Sequence, residues 1–180
     1  MSKKTHPKHK IIAEVIEKVL PKQYTLIKDE ACGGKQRIPL FKATKKSRKE
    51  EFCNADLLVL KDNKIKIIIE IEESNVKPTQ VCGKFLTSAL ANYFIHDSMG
   101  NEPIEMDKSV MFVQLVDSSK LVKGKTSKYA QWRTLEESIK VIIPLENSRI
   151  DSYRLITFDD VEKLASDIRD IFNSTFQSRD

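Results

Sequence analysis

The sequence predicts an α/β fold in which the strands of a sheet are flanked by helices. Apolar residues recur at helical spacing near both ends of the chain, and β-branched apolar runs occupy its centre. A further helical pattern separates two of these runs, as expected where strands and helices alternate. Because 180 residues suffice for one ordinary domain, we expect a single domain over residues 1–180.

The first 50 residues are predicted to contain a helix, a strand and a long irregular segment. Isoleucine and valine at helical spacing indicate an amphipathic helix over about residues 8–20, which Pro21 ends. Tyr24–Lys28 fits a short strand. The segment Ala31–Glu51 then contains a Gly-Gly pair, Pro39 and a run of basic residues.

The central part of the chain is predicted to form a hairpin followed by a helix. Ala55–Leu60 and Ile65–Glu72 are rich in β-branched residues and are separated by a short polar turn, which predicts two antiparallel central strands. A helix capped by Ser74 or Asn75 is expected to run to about Ile95.

The second half is predicted to hold one buried strand, edge strands and helical additions. Ser109–Val116 is a continuous apolar run typical of a buried strand. A short helix is expected around Trp132. Ile139–Ile143 and Tyr153–Ile156 fit edge strands, and Thr157 is expected to cap a final amphipathic helix.

The positive charge of the chain is concentrated in two segments. The net charge is +5, but residues 1–50 carry 14 basic and 5 acidic side chains, and residues 51–180 are net acidic. The first basic run comprises Lys42, Lys45, Lys46, Arg48 and Lys49. The second comprises Lys120, Lys123, Lys125 and Lys128, followed by Gln131 and Arg133.

Composition and cysteine spacing favour a cytoplasmic protein. The first residues lack the apolar stretch of a secretory signal, and a mean hydropathy of −0.39 without a long apolar run argues against a membrane span. Cys32, Cys53 and Cys82 lack the spacing of a zinc site or a disulfide framework. We therefore expect reduced thiols, with Cys53 and Cys82 buried.

Two glutamates interrupt the most apolar predicted strand. Side chains alternate along a strand, so Ile67, Ile69 and Ile71 share one face and Glu70 and Glu72 lie on the other. Burying an ionised carboxylate is costly unless a cation or hydrogen-bond donors satisfy it. The pattern therefore indicates either a specific partner for these acids or an exposed strand face.

A third acid approaches the glutamates only in one register of the hairpin. A three-residue loop at Asp62–Lys64 would place Asp56 opposite Glu70, whereas a two-residue loop would place it opposite Ile69. Convergence of the acids therefore requires the longer loop or a β-bulge.

Asp56, Glu70 and Glu72 together would form an oxygen-only site, which suits Mg²⁺ or, in its place, Mn²⁺. Such ions neutralise charge on a phosphodiester and lower the pKa of a bound water, which creates a nucleophile at neutral pH. In the alternative interpretation, the glutamates face solvent from a half-exposed strand and pair with surface basic residues. The acids alone leave both interpretations open.

Ala55-Asp56, then a strand ending in Glu70-Ile71-Glu72, then a helix carry a resemblance to a known family. This arrangement resembles the PD-(D/E)xK nuclease superfamily, particularly restriction-endonuclease-like members, and the αβββαβ order matches over about residues 8–116. The resemblance implies a mixed central sheet flanked by helices. Ala55 replaces the family's proline, and Glu72 stands where lysine is usual, as in some restriction enzymes of the superfamily.

The resemblance adds two candidate catalytic residues on helices. Lys84 lies one helical turn after Gln80, in a helix from which displaced lysines of the family sometimes reach the site. Glu14 matches the acid that many members carry on the first helix, where it supports a metal-bound water. Each has a simpler interpretation as a solvated helix side chain, and the sequence favours that interpretation for both.

The resemblance implies a Mg²⁺-dependent DNA endonuclease that hydrolyses phosphodiester bonds. Asp56 and Glu70 would ligate the metal, and Glu72 would ligate it or orient the attacking water. A type II restriction endonuclease is the first expectation, and a junction resolvase or repair nuclease is the second. Double-stranded DNA is the expected partner, and a homodimer is expected because two strands require two active sites.

The basic segments are the expected DNA contacts. The run Lys42–Lys49 leads along the chain to Asp56 and is expected to hold phosphates, and Lys123, Lys125 and Arg133 are candidates in the second segment. Two alternatives remain: a nuclease-fold protein that has lost catalysis and binds nucleic acid, and a partner-binding domain that binds none.

Overall fold

The computed structural model describes residues 7–73, 76–122 and 125–177. The described helices are α1 (Pro7–Val19), α2 (Pro78–Ala89), α3 (Lys128–Ile142) and α4 (Val161–Gln177), with a 3-10 turn at Asp97–Met99. The described strands are β1 (Thr25–Lys28), β2 (Pro39–Phe41), β3 (Glu51–Asn54), β4 (Leu57–Lys61), β5 (Lys64–Glu72), β6 (Tyr93–Phe94), β7 (Ile104–Asp117) and β8 (Ile150–Phe158).

The strands form a mixed sheet with helices against it, which confirms the predicted α/β class. The main strands lie in the order β1-β4-β5-β7-β8. β1, β4 and β5 are antiparallel neighbours, whereas β5, β7 and β8 are parallel. Helix α2 lies in the crossover between β5 and β7, which parallel strands require. β6, β2 and β3 form an antiparallel extension from the start of β7.

The register that brings the acids together is confirmed, and a β-bulge produces it. The turn between β4 and β5 has two residues, Asp62 and Asn63, both at positive φ (52° and 56°). Such a turn alone would place Asp56 opposite Ile69. A register shift after Val59 restores the pairing of Leu57 with Ile69, and extending this pairing by one residue places Asp56 opposite Glu70.

Alternation along β5 separates two hydrophobic clusters, as predicted. Ile67, Ile69 and Ile71 pack with α1 and α4 on one face of the sheet. Ile68 packs with α2 and α3 on the other face, which Glu70 and Glu72 share. Both faces of the central strands are therefore covered, so carboxylates placed on β5 must be accommodated beneath a helix.

Two predicted elements in the second half of the chain were wrong. Ile139–Ile143 was expected as a strand, but residues 139–142 form the last turn of α3, where Ile139 is buried and Val141 is 83% exposed. Packing of one face overrides the β propensity of this run. The helix expected to reach Ile95 ends at Ala89, because the chain turns there into β6.

Several predicted caps and burials also differ. Ser74 and Asn75 lie outside the described residues, and Lys77 precedes the first turn of α2. Thr157 belongs to β8, and α4 begins instead after Asp160, whose Oδ1 accepts a hydrogen bond from the Glu162 amide at 2.7 Å. The exposed and buried cysteines are the reverse of the expected ones, since Cys82 is exposed, Cys53 half-buried and Cys32 buried.

Within residues 7–73, 76–122 and 125–177, no helix is long and apolar enough to cross a membrane.

Candidate functional site

Asp56, Glu70, Glu72 and Lys84 converge where β5 approaches its C-terminal end. The Lys84 Nζ lies 2.7 Å from Glu70 Oε2, 2.9 Å from Glu72 Oε1 and 3.8 Å from Asp56 Oδ2. Asp56 Oδ2 also accepts a hydrogen bond from the Ile71 amide at 2.7 Å. Three carboxylates from two strands and one ammonium from a helix therefore form a compact charged cluster, which we call the acid–lysine cluster.

The local fold explains why these four side chains meet. Strand alternation directs Glu70 and Glu72 to the α2 face, and the bulge brings Asp56 alongside. Helix α2 starts at Pro78 and packs its apolar side on the same face, so Lys84 overhangs the end of β5. Its aliphatic stem covers the strand while its ammonium reaches the oxygens.

The electrostatics of the cluster reflect an excess of negative charge. Burial, followed by the nearby Asp56 carboxylate, raises the pKa of Glu70 well above its ordinary value, and Lys84 offsets only part of this rise. Burial by itself would lower the pKa of Lys84, but attraction to Glu70, Asp56 and Glu72 outweighs it and raises that pKa. The ammonium is thus firmly held, and one carboxyl group of the cluster favours its protonated form.

Glu72 is incompletely satisfied. Its Oε1 is buried and has no hydrogen-bond partner among the described residues, although the Lys84 ammonium is at ion-pair distance. The two observations are compatible, because the ammonium approaches without hydrogen-bond geometry. A buried carboxylate oxygen in this condition is expected to accept a further donor or a cation.

The donor set fits a hard cation, but the present arrangement does not form a metal centre. Among the described residues, no group of three or more His, Cys, Asp or Glu side chains is placed to hold a metal ion. The reason is that the ammonium occupies the central position, with the carboxylate oxygens 2.7 and 2.9 Å away, whereas Mg²⁺ requires about 2.1 Å. Asp56, Glu70 and Glu72 could hold Mg²⁺ only if Lys84 moved aside.

Comparison with known protein families, with curated proteins and with solved structures finds no match.

A second group of polar side chains supports the acid–lysine cluster from α1. His9 is 5% exposed, and its Nδ1 lies 2.9 Å from Glu73 Oε1 while its Nε2 lies 3.8 Å from Asp56 Oδ2. Glu73 Oε1 also accepts a hydrogen bond from the Lys8 amide at 3.0 Å, in the first turn of α1. Glu73 therefore binds the start of this helix and positions His9 against Asp56.

A buried polar row continues from the cluster across the sheet. Gln114 on β7 is the register partner of Glu70 and is fully buried. Its Oε1 accepts a hydrogen bond of 2.5 Å from the Tyr153 hydroxyl, while its Nε2 has no partner among the described residues. Unsatisfied buried groups on two neighbouring strands are consistent with bound water or ligand at this place.

Glu14 lies outside the acid–lysine cluster. It is exposed on α1, and no hydrogen bond or ion pair among the described residues joins it to Asp56 or Glu70. His9, from the same helix, occupies the position beside Asp56 instead. The sequence analysis assigned no site role to His9, and its place in the apolar stripe of α1, three residues before Ile12, was the available signal.

The first basic run lies at the other edge of the sheet. Its Lys46 Nζ donates hydrogen bonds to Asp97 Oδ1 at 2.7 Å and Asn101 Oδ1 at 3.2 Å, next to the start of β7. Lys42 is half-buried, and the remaining members are exposed, namely Lys45, Arg48 and Lys49. β3 separates the run from Asp56 by about 13 Å at 3.3 Å per residue, so proximity in sequence did not become proximity to the acids.

The second basic segment lies on the same edge as the acids. It follows the end of β7, and the Lys128 Nζ donates to the Val76 carbonyl at 3.2 Å, just past the end of β5. Lys125 is exposed, and Lys123 lies outside the described residues. Arg133 is 81% exposed and pairs with Glu137 at 3.1 Å. The topology therefore makes this segment the better placed of the two to meet a polyanion at the cluster.

Proposed function

We propose that the chain is a Mg²⁺-dependent DNA endonuclease of the restriction-endonuclease-like type. The observation that carries the proposal is the acid–lysine cluster, in which Lys84 Nζ lies within 4 Å of oxygens from Asp56, Glu70 and Glu72. The order α1, β1, β4, β5, α2, β7 around a mixed sheet supports it, because the αβββαβ order is the one the resemblance implies.

The chemistry assigned to the cluster is hydrolysis of a phosphodiester. When bound, Mg²⁺ neutralises charge on the phosphate oxygens and lowers the pKa of a water. Asp56 and Glu70 hold the ion, and Glu72, with its unpartnered Oε1, holds it or accepts a proton from the attacking water. Substrate approach requires positive charge, which Lys125 and Lys128 supply on the same edge of the sheet.

Lys84 takes the part that lysine plays in the usual E-x-K pattern. Glu72 occupies the strand position of that lysine, and Lys84 brings an ammonium to the same place from α2. An ammonium beside the scissile phosphate stabilises the charge that develops there. Its displacement from Glu70 and Glu72 by the metal would free it for this contact.

A catalytically inactive nucleic-acid-binding module is the second candidate function. The observation that favours it is the short distance between Lys84 and Glu70, which satisfies the cluster internally without a metal. In that case, the second basic segment would bind the phosphate backbone and no strand would be cut. A junction resolvase or repair nuclease would share the cluster and differ in the DNA structure it prefers.

The direct test is cleavage of mixed plasmid and genomic DNA with Mg²⁺ or Mn²⁺ at low salt. The wild-type chain is expected to cut DNA, and Glu70→Gln and Lys84→Gln are each expected to lower the rate by about 100-fold or more, because each removes a charge that acts in the transition state. Cleavage is expected to stop when the metal is chelated.

Matched substitutions elsewhere on the chain control for the loss of one charge. Glu162→Gln and Lys18→Gln change exposed helix residues outside the cluster and should leave the rate unchanged. Salt-dependent DNA binding without cleavage by the wild type would support the inactive module. Intact DNA together with no binding at low salt would refute both candidates.

A further inference from the structure

A second polar site lies at the edge of the sheet where β8 begins, away from the acid–lysine cluster. It is an open cavity of about 520 Å³ lined by Lys42, Asn92, Asn147, Ser148 and Arg149. The volume falls within the range of small-molecule sites. The lining comes from the loop after β2, the segment before β6 and the loop before β8, so only the folded chain brings these residues together.

The lining carries positive charge that the protein does not neutralise. The Lys42 ammonium forms no ion pair or hydrogen bond with any residue the structure describes. Arg149 Nη2 contacts Glu105 Oε1 at 3.3 Å, but the other oxygen of Glu105 is taken by Lys64 at 2.5 Å. Since none of the five lining residues is acidic, the cavity favours an anion.

The neutral side chains of the lining supply both donors and an acceptor. Ser148 Oγ accepts a hydrogen bond from the Ile150 amide at 3.1 Å, which leaves its own proton for a ligand. Asn92 Nδ2 donates to the Lys42 carbonyl at 3.4 Å, whereas Asn92 Oδ1 is a buried atom without a partner among the described residues. A ligand that fits must therefore combine anionic oxygens with an N–H donor.

We propose that this cavity binds a nucleotide. The phosphate lies between Lys42 and Arg149, with the Ser148 hydroxyl as an additional donor, and an N–H group of the base donates to Asn92 Oδ1. Arg149 offers its fork of donors and Lys42 a point charge, a combination that suits a phosphate. The nucleotide is either free or a unit of a DNA strand, and neither case rests on cleavage at the acid–lysine cluster.

The test is binding in EDTA, where no metal-dependent cleavage occurs. Deoxyadenosine monophosphate, inorganic phosphate and a labelled 20-mer oligonucleotide are titrated against the wild type, Lys42→Ala and Arg149→Ala. Lys45→Ala is the matched control, because it removes the same charge from the same loop but does not line the cavity. Amide chemical shifts of residues 92 and 147–149 report occupancy, and thermal unfolding confirms that each variant is folded.

The mononucleotide is expected to shift these amides and to bind more tightly than inorganic phosphate. Lys42→Ala and Arg149→Ala should weaken its binding about tenfold, and Lys45→Ala should not. If the site takes a DNA strand, Lys42→Ala also lowers the salt dependence of oligonucleotide binding by about one unit. If it takes free nucleotide, only mononucleotide binding changes. Equal binding by all four proteins, or by phosphate and mononucleotide, would overturn the proposal.

Discussion

Lys84 determines the character of the acid–lysine cluster. One ammonium lies within 4 Å of three carboxylates, of which Glu70 is 1% exposed. Helical spacing alone could not separate this role from that of a solvated lysine, because the sequence does not specify how far α2 overhangs β5. The same geometry leaves the protein with more buried carboxylate than cation, which has a measurable effect on its stability.

The stability of the metal-free protein should depend on pH through Glu70. The pKa of Glu70 is raised on folding, so its contribution to stability is complete below its ordinary pKa of 4.5 and is lost as the pH rises through the folded value. Glu70→Gln cannot lose a proton. In EDTA, its stability relative to wild type is therefore expected to increase from pH 4.5 to 7.5, by at most about 1.4 kcal/mol per unit.

Thermal or denaturant unfolding of both proteins across this range measures the effect. Glu14→Gln, on the exposed side of α1, is the matched Glu-to-Gln control. A difference between Glu70→Gln and wild type that stays constant or shrinks towards pH 7.5 would show that the Glu70 carboxylate is well compensated in the folded chain.

His9 is expected to act as a positioning residue for Asp56. It is buried between Glu73 and Asp56, at 2.9 and 3.8 Å, and contacts no reacting atom in the proposed mechanism. His9→Ala should lower kcat of DNA cleavage about 10- to 100-fold with little change in KM, as for other residues that orient a ligand. His9→Gln, which can return a nitrogen near the Nε2 position, should recover part of the rate.

Glu73→Gln provides an independent check, because it weakens the contact that orients His9 while leaving the imidazole in place. It should lower kcat in the same direction. Full activity of His9→Ala would assign His9 to packing alone.

At the level of elements, a bulge in β5 decides which residues face α2. The two-residue turn at Asp62 and Asn63 and the register shift after Val59 act together, and either change alone would turn Asp56 away from Glu70. Sequence reasoning identified the two possible registers, but turn length and bulge compensate for each other. Their combination depends on burying both faces of the strand, which is a property of the whole sheet.

Two glycines make opposite predictions for replacement by alanine. A Cβ at Gly34 would overlap the Lys28 carbonyl oxygen, so Gly34→Ala should destabilise the fold by at least about 2 kcal/mol. Gly83 lies within α2, where an added methyl group would meet no atom within 4 Å, and Gly83→Ala should stabilise the protein by about 0.5–1 kcal/mol. Denaturant unfolding measures both values, and equal effects would contradict the close approach at Gly34.

At the level of the whole molecule, the sheet separates acidic and basic functions. The acid–lysine cluster and the second basic segment share the edge where β5 and β7 end, while the first basic run and the nucleotide-sized cavity lie where β7 and β8 begin. The contrast between the basic first 50 residues and the acidic remainder, visible in the sequence, therefore does not place positive charge directly on the acids.

The described chain carries one acid–lysine cluster, so coordinated cutting of a duplex requires two copies. We expect a homodimer in sedimentation experiments with DNA, and direct conversion of supercoiled plasmid to the linear form. Mixing wild type with an excess of Glu70→Gln should then yield nicked circles, because mixed dimers cut one strand. A monomer that linearises plasmid through a long-lived nicked form would contradict the expected dimer.

The sequence by itself determined the strand alternation of β5, the two possible hairpin registers and the α/β class, because each depends on local periodicity and turn chemistry. It misassigned Ile139–Ile143, where local propensity favoured a strand and one-sided burial produced the end of α3. Tertiary structure alone decided that Lys84 and His9 reach Asp56 and that Lys42 meets Arg149. These contacts join residues far apart in the chain, and they depend on how helices and loops pack over the sheet.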